Sequence, residues 1–254
     1  MANITNIYRY PVKGLSPEEL ARIYLRGGEA MPGDRRHALA RTDVIVDAEA
    51  PCWLPKRNFL MLALNGRLAA LKTRFNDTSN ELELVRDGNI VARGKLSDAA
   101  GREAIENYIA AYLGPEAGGR PHIITGTPPH TFSDVDARVI SLINLATVRD
   151  MQRAAGRRVE PLRFRANVYF NGELPWAEFD WVGREISLGK ARLRVTKRTS
   201  RCAATAVNPS TGERDLNVVK ILKTDHGHID MGVYATVIEG GDIAIGDTIA
   251  VQSD

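Results

Sequence analysis

The stretch Ala191-Arg192-Leu193-Arg194-Val195-Thr196-Lys197-Arg198-Thr199-Ser200-Arg201-Cys202 decides how the chain is read. Ala191, Leu193 and Val195 alternate with Arg192 and Arg194, the two-residue period of a strand with one apolar and one basic face. That strand runs into a loop carrying one of only two cysteines, with Lys197, Arg198 and Arg201 close by and a Pro209/Gly212 turn after it. Cationic neighbours favour the thiolate, the form that binds metals and attacks electrophiles. Burial as a small core residue is the other ordinary fate of a free cysteine. Arg201 before Cys202 and the small Ala203-Ala204 after it suit a loop that lets a ligand approach. Cys52, between Pro51 and Trp53, has no cation nearer than Lys56 and reads as a packing residue.

Outward from that loop the pattern is mostly β. Ile4 to Val12 reads as a strand limited at its end by Pro11. A Met31-Pro32-Gly33-Asp34 turn precedes Arg35 to Ala40, and Val44 to Val46 continues the β pattern. Phe59 to Leu64, Leu68 to Phe75 and Glu81 to Val85 are expected strands with Asn65-Gly66 and Asp87-Gly88 turns, giving a meander or barrel. Ser97-Asp98 starts a helix with Ile105, Tyr108, Ile109, Tyr112 and Leu113 at helical spacing, stopped by Gly114-Pro115. The Gly/Pro-rich segment 114–129 reads as a linker, which divides the chain near residue 120 into units 1–120 and 121–254. Val139 to Ile143 then reads as a strand, and Leu145, Val148, Met151 and Ala155 as a helical stripe. Strands are also expected at Asn167 to Phe170, Glu185 to Leu188 and Arg192 to Thr196, and two more around Gly240-Gly241. The fold class is mixed α/β, predominantly β, with a meander or barrel in the first part, further strands in the second and few helices.

Composition narrows the functions available. The 254 residues suffice for a sizeable core. Two cysteines give no disulfide framework, and with an N-terminus unlike a signal peptide they fit a reducing cytoplasm. Apolar runs fall short of a membrane span. A net charge of +3 does not by itself imply nucleic acid, but from Arg149 to Arg201 there are 13 Lys/Arg against 6 Asp/Glu. That local excess suits a small anionic ligand or a solvated basic face.

Several constellations could carry chemistry. Arg163 and Arg165 sit at a strand entry, and guanidinium forks suit phosphate or carboxylate. Asn144 suits a ligand contact or the N-cap of the helix that starts after it. His226 and His228, with Cys202, would supply zinc ligands or a Cys/His nucleophile pair, but Thr224 to His228 reads as an exposed turn and no fourth ligand is evident. Walker, dinucleotide-binding and H-E-x-x-H patterns are absent.

Together, Tyr10-Pro11-Val12-Lys13, Gly33-Asp34-Arg35, Arg163-Phe164-Arg165-Ala166-Asn167, Ser200-Arg201-Cys202 and Gly246-Asp247 resemble the MOSC-domain proteins, named after the C-terminal part of molybdenum-cofactor sulfurases. The arrangement is most similar to amidoxime-reducing proteins, in which a β-barrel domain precedes the MOSC domain. The resemblance implies that Cys202 is the protein ligand of molybdenum. It further implies that Lys13, Arg35, Arg165, Asn167 and Arg201 contact the anionic molybdopterin, as do Ser141 and Asn144 at a strand-to-helix turn. Gly14 stands where the family commonly has Ser or Cys, Ala166 where it has Pro, and Ala206 and Asn208 where it has Thr and Asp.

The function implied is reduction of small N-oxygenated substrates by a cytoplasmic molybdenum-cofactor oxidoreductase, with neither nucleic acid nor membrane as partner. The sequence shows no aminotransferase-like module and no cysteine cluster for an iron-sulfur centre, so electrons are expected from a separate donor protein. The alternative is a carrier that holds the cofactor, or sulfur on Cys202, without turnover.

Overall fold

The structure, a computed structural model, describes residues 2–44 and 53–252. Cys52, with Ile45 and Val46 of the expected β segment, lies outside the described residues. Seven strands close into a barrel: β1 (Ala2–Arg9), β9 (Ile140–Asn144), β10 (Val168–Asn171), β11 (Glu185–Leu188), β12 (Ala191–Ser200), β13 (Asp230–Glu239) and β15 (Thr248–Val251). Their order around the barrel is β1-β10-β9-β13-β12-β11-β15, returning to β1, with the short β2 (Glu18–Leu20) added beside β1. Closure leaves none of the seven as a free edge. The apolar residues of the alternating pattern fill the interior, among them Ile4, Ile7, Leu142, Phe170, Leu193, Val195, Val233, Ala235 and Val237. Arg192 and Arg194 face outward and pair with Glu185 and Glu239.

β9 and β10 run parallel, joined through helix α2 (Leu145–Ala155). Parallel neighbours need such a crossover. Asn144 caps that helix by accepting from the Ala146 N–H at 2.9 Å, and Gly156, at φ 61°, ends it.

The remainder packs beside the barrel. A meander of β5 (Lys72–Asn76), β6 (Glu81–Arg86) and β7 (Asn89–Lys95) carries helix α1 (Ala99–Leu113) across a second core around Leu82, Leu84, Ile105 and Ile109. β4 (His37–Ala40) pairs with β8 (His122–Thr125), and β3 (Arg22–Leu25) with β14 (Gly241–Ala244). Helix α3 (Val218–His226) packs against α2 in a third cluster. Among the described residues no helix is long and apolar enough to cross a membrane.

Local departures from the sequence reading have physical causes. The expected linker holds strand β8 because His122-Ile123-Ile124-Thr125 finds an open partner in β4. Phe59 to Leu64 makes one bridge, Phe59 with Ala40, and then turns. The segment from Leu68 begins as a 3-10 turn, so β5 starts only at Lys72. Val44 is not in a strand. The turn expected at 224–228 is the end of α3, whose buried Val218 and Leu222 are one helical turn apart and whose Lys220 N–H is capped by Asn217. The C-terminal segment makes three strands, not two: besides the expected break at Gly240, a turn at Ile245 to Asp247, with Gly246 at φ 93°, separates β14 from β15.

His37 offers a stability test. Its ring is fully buried in β4, bonded through Nδ1 to the Thr125 hydroxyl at 2.9 Å, while Nε2 has no partner among the described residues. Burial, reinforced by Arg36, pushes its pKa down to about 4. Below an ordinary value near 6.5 the unfolded chain takes up a proton that the folded chain refuses. Stability is therefore lost as pH falls from about 6.5 to about 4, by on the order of 3 kcal/mol. Urea midpoints measured across that range should show the loss, and the slope should be shallower in His37→Leu.

Candidate functional site

Barrel closure brings distant segments to one cavity of about 310 Å³. β1 leads out of the barrel into Tyr10-Pro11-Val12-Lys13-Gly14, and its partner β10 is entered through Arg163 to Asn167, so pairing of the two strands sets these segments side by side. The turn carrying Asp34 and Arg35 is tied to the same place, since the Tyr10 N–H donates to Asp34 Oδ1 at 2.7 Å and the Arg35 N–H to the Tyr10 carbonyl at 2.7 Å. The end of β12 supplies the fourth wall. Its pairing with β13 is irregular between Val195 and Lys197 and again between Arg198 and Ser200. Such bulges re-aim side chains, leaving Lys197 and Arg198 both exposed while Thr199 is buried.

The cavity is strongly cationic. Lys13, Arg35, Lys56, Arg163, Arg165, Lys197, Arg198 and Arg201 line it, against the carboxylates of Asp34 and Asp134. Arg35 and Arg165 form its centre. Both have left-handed backbones, φ 48° and 51°, a conformation that costs a non-glycine residue free energy and clusters at functional sites. Both guanidiniums lie over the buried Tyr10 ring, at 4.7 and 4.2 Å from its centroid. Arg35 pairs with Asp34 and donates to the Arg165 carbonyl at 3.0 Å. Arg165 Nη1 donates to the Leu15 carbonyl at 2.8 Å, but its Nη2 is buried without a partner among the described residues. Burial pulls the Arg165 guanidinium below its ordinary pKa, with Tyr10 opposing and Arg35 adding to the fall. Burial also acts against Arg35, but Asp34 and Tyr10 outweigh it and hold Arg35 above its ordinary value. The site thus keeps one buried cation whose charge a ligand can answer.

Lys13 Nζ donates to the Phe132 carbonyl at 2.8 Å and pairs with Asp134. Burial pulls its pKa down and Asp134 pulls against that. Ser141 and Asn167 satisfy each other: the Ser141 hydroxyl and N–H donate to Asn167 Oδ1 at 2.9 and 3.1 Å, and Asn167 Nδ2 donates to the Tyr8 carbonyl at 3.2 Å.

Cys202 is a free, half-buried thiol on the cavity wall. Its loop is held by arginines acting on backbone. Arg201 donates through Nε to the Met231 carbonyl at 2.9 Å, through Nη1 to the Phe164 carbonyl at 2.9 Å, and through Nη2 again to Met231. Arg163 donates to the Ala206 carbonyl at 3.1 Å and to Asp215 at 2.6 Å. The Cys202 carbonyl accepts from the Thr205 hydroxyl at 2.8 Å. Arg214 ties Ala203 to Leu62 and Ala63.

Of the residues singled out from sequence, Cys202, Lys13, Arg35, Ser141, Arg165, Asn167 and Arg201 all line this cavity. Asn144 does not: beyond capping α2, its amide donates to the Leu174 carbonyl at 2.9 Å and to the buried Glu178 at 3.2 Å. His226 and His228 also lie elsewhere, packed on Trp176 with ring centroids 4.6 and 5.2 Å away. No group of three or more His, Cys, Asp or Glu able to hold a metal occurs among the described residues. The sequence reading passed over Tyr234, a tyrosine on the less buried face of β13 that lines the cavity. Burial raises its phenol above the usual value, with Arg201 and Arg35 opposing.

The unusual positions fit their surroundings. Gly14 has φ 85°, and a Cβ there would stand 3.1 Å from the Leu60 carbonyl. The Ala166 N–H donates to the Tyr169 hydroxyl at 3.1 Å, a bond that proline cannot make. Asn208 Nδ2 donates to Asp215 at 3.0 Å, where aspartate would set two carboxylates together.

Residues 128–250 match the MOSC domain family. The chain contains a MOSC domain. It is 23% identical to the molybdenum cofactor sulfurase of Homo sapiens over 277 residues, covering 91% of this chain and 29% of that protein. It is 31% identical over 80 residues to mitochondrial amidoxime-reducing component 1 of Mus musculus, covering 32% of this chain and 23% of that one. The chain spans less than a third of the length of the curated relatives it matches. The solved YUAD protein of Bacillus subtilis superposes with a TM-score of 0.46 at 14% identity, covering 100% of this chain and 97% of that one. The MOSC match begins near Pro128, whereas β1, Tyr10, Lys13 and Arg35 precede it, so the cavity draws on residues outside the matched segment.

Arg201→Met tests the clamp. It leaves the Phe164 and Met231 carbonyls without their guanidinium donors, and folding stability should fall by about 2–4 kcal/mol, read from urea denaturation.

Proposed function

We propose that this chain holds the molybdenum cofactor in the cationic cavity, with Cys202 as the protein ligand of the metal, and reduces small N-oxygenated molecules. The observation that carries this reading is a free thiol in the same cavity as a buried arginine whose Nη2 has no partner among the described residues. A soft thiolate suits molybdenum, and guanidiniums suit a phosphate. The donor set therefore fits an anionic, metal-bearing pterin. Arg165 and Arg35 would meet its negative charge, Lys13 would exchange part of its contact with Asp134 for it, and Ser141 and Asn167 would fix the wall against which it rests. The relatives' names point the same way, since one is a cofactor sulfurase and another an amidoxime-reducing component.

When bound, the cofactor supplies two-electron reduction and oxygen-atom removal. The protein's part is orientation and charge. Arg201 and Arg163 hold the Cys202 loop by its carbonyls, so the thiol's position does not depend on the ligand. Tyr10 keeps the two central guanidiniums over its ring, ordered before a ligand arrives. Electrons come from a separate carrier protein, and a cytoplasmic location goes with this assignment. The same reading takes residues 1–120 as an accompanying unit and 121–254 as the unit bearing Cys202, with β1 crossing between them.

The test is purification from a host that makes the cofactor, followed by molybdenum and pterin analysis and an amidoxime or hydroxylamine assay with a chemical reductant. Wild type should carry both in near-stoichiometric amount and turn over. Cys202→Ala should lose at least about tenfold in molybdenum while remaining folded by circular dichroism, and Arg165→Met should retain less pterin. Wild-type protein without molybdenum or pterin sinks the proposal. Stoichiometric cofactor without turnover under several donors replaces the oxidoreductase with a carrier.

A further inference from the structure

The register of the barrel identifies one more side chain for the chemistry. Lys197 of β12 stands opposite Tyr234 of β13, and Tyr234 opposite Ser141 of β9. Residues directly opposite across a sheet share a face. Ser141 in turn is bonded to Asn167 at the entry to β10. Three neighbouring strands and the entry to a fourth thus present a polar row, Lys197, Tyr234, Ser141 and Asn167, and all four residues line the cavity that holds Cys202.

Within that row the side chains have different duties. Ser141 and Asn167 are bonded to each other. The Lys197 ammonium lies 5.9 Å from the Tyr234 ring centroid. Tyr234 is anchored by its strand neighbours Val233 and Ala235, which are fully buried in the barrel core. Its hydroxyl has no hydrogen-bond partner among the described residues, although the groups acting on it include Arg201, Cys202, Arg35 and Asp134 from three different segments. A rigid strand residue with an unengaged O–H facing a ligand cavity is placed to give a proton.

The proposed reduction needs one. An N-hydroxyl compound takes up two electrons and two protons and yields the N–H compound and one water. The N–O bond breaks, nitrogen takes one proton, and the oxygen leaves as water with its own hydrogen and a second proton. Both electrons come from the carrier protein, or from dithionite in an assay. Among the described residues no histidine lines the cavity, and the carboxylates that do, Asp34 and Asp134, stand against the cations Arg35 and Lys13. We propose that the Tyr234 hydroxyl donates the proton taken up by the departing oxygen and is reprotonated from solvent. This rests on the oxidoreductase reading and assigns to it a catalytic residue.

The experiment compares wild type and Tyr234→Phe, both purified with cofactor, for molybdenum and pterin content, for kcat and KM with an N-hydroxyamidine and dithionite, and for the solvent deuterium isotope effect. Tyr234→Phe keeps the ring and removes only the O–H. The expected result is unchanged metal and pterin, KM within about twofold, kcat lower by about 10²-fold or more, and a solvent isotope effect that differs from wild type. Tyr234→Phe with wild-type kcat in a loaded enzyme overturns this inference and leaves the oxidoreductase reading standing. Loss of cofactor from Tyr234→Phe also overturns it, making Tyr234 a cofactor-positioning residue. Wild type without cofactor, or loaded and inactive, overturns both.

Discussion

β1 comes from the first ten residues of the chain, and the other six strands of the barrel come from beyond residue 139. Its pairing with β10 closes the cylinder, and the same hydrogen bonds set the segment leaving β1 beside the segment entering β10. Tyr10 through Gly14 therefore meets Arg165 through Asn167 as a consequence of barrel closure itself. The interior residues Ile4, Ile7, Val168 and Phe170 anchor this register by burying one face of each strand. A one-residue slip would turn those faces to water, so the positions of Lys13 and Arg165 are as rigid as the barrel itself.

That rigidity supports an arrangement otherwise unfavourable. Two guanidiniums at left-handed backbone positions are held over one buried aromatic ring; among the described residues one carboxylate is in direct ion pairing with them and one guanidinium nitrogen is left without a partner. Like charges gathered away from water raise the energy of the empty site and lower that of a site holding an anion. The compensation is spread widely: Asp34 on Arg35, Asp134 on Lys13, and backbone carbonyls on Arg201 and Arg163. The arginines divide into two groups, those that hold the protein's own carbonyls and those that face the cavity. Residue type alone gives no hint of which is which.

Much of the local structure was legible. The alternation in Ala191 to Val195 marked β12, and the stripe of Leu145, Val148 and Met151 marked α2. Ser97-Asp98 and Gly114 bounded α1 closely. Pattern reading was weaker where partners decide: β8 forms because β4 offers an edge, and α3 forms because Val218 and Leu222 have α2 to pack against. The Cys202 loop and Arg165 stood out through their own basic surroundings, whereas Lys13 and Arg35 stood out through motifs that resemble a known family. Tyr234 carried no motif, and only its register opposite Lys197 and Ser141 gives it a place in the cavity.

The sequence by itself determined the β-rich class, the strand leading into Cys202, and the cationic character of the segments around it, because alternation, turn residues and charge are properties of neighbours along the chain. Tertiary structure alone decided that Lys13 and Arg35 share a cavity with Cys202, that Asn144 is a helix cap turned elsewhere, and that Arg201 clamps backbone. Those outcomes depend on which strands pair and in what register, which is set by the burial of side chains far apart in the chain.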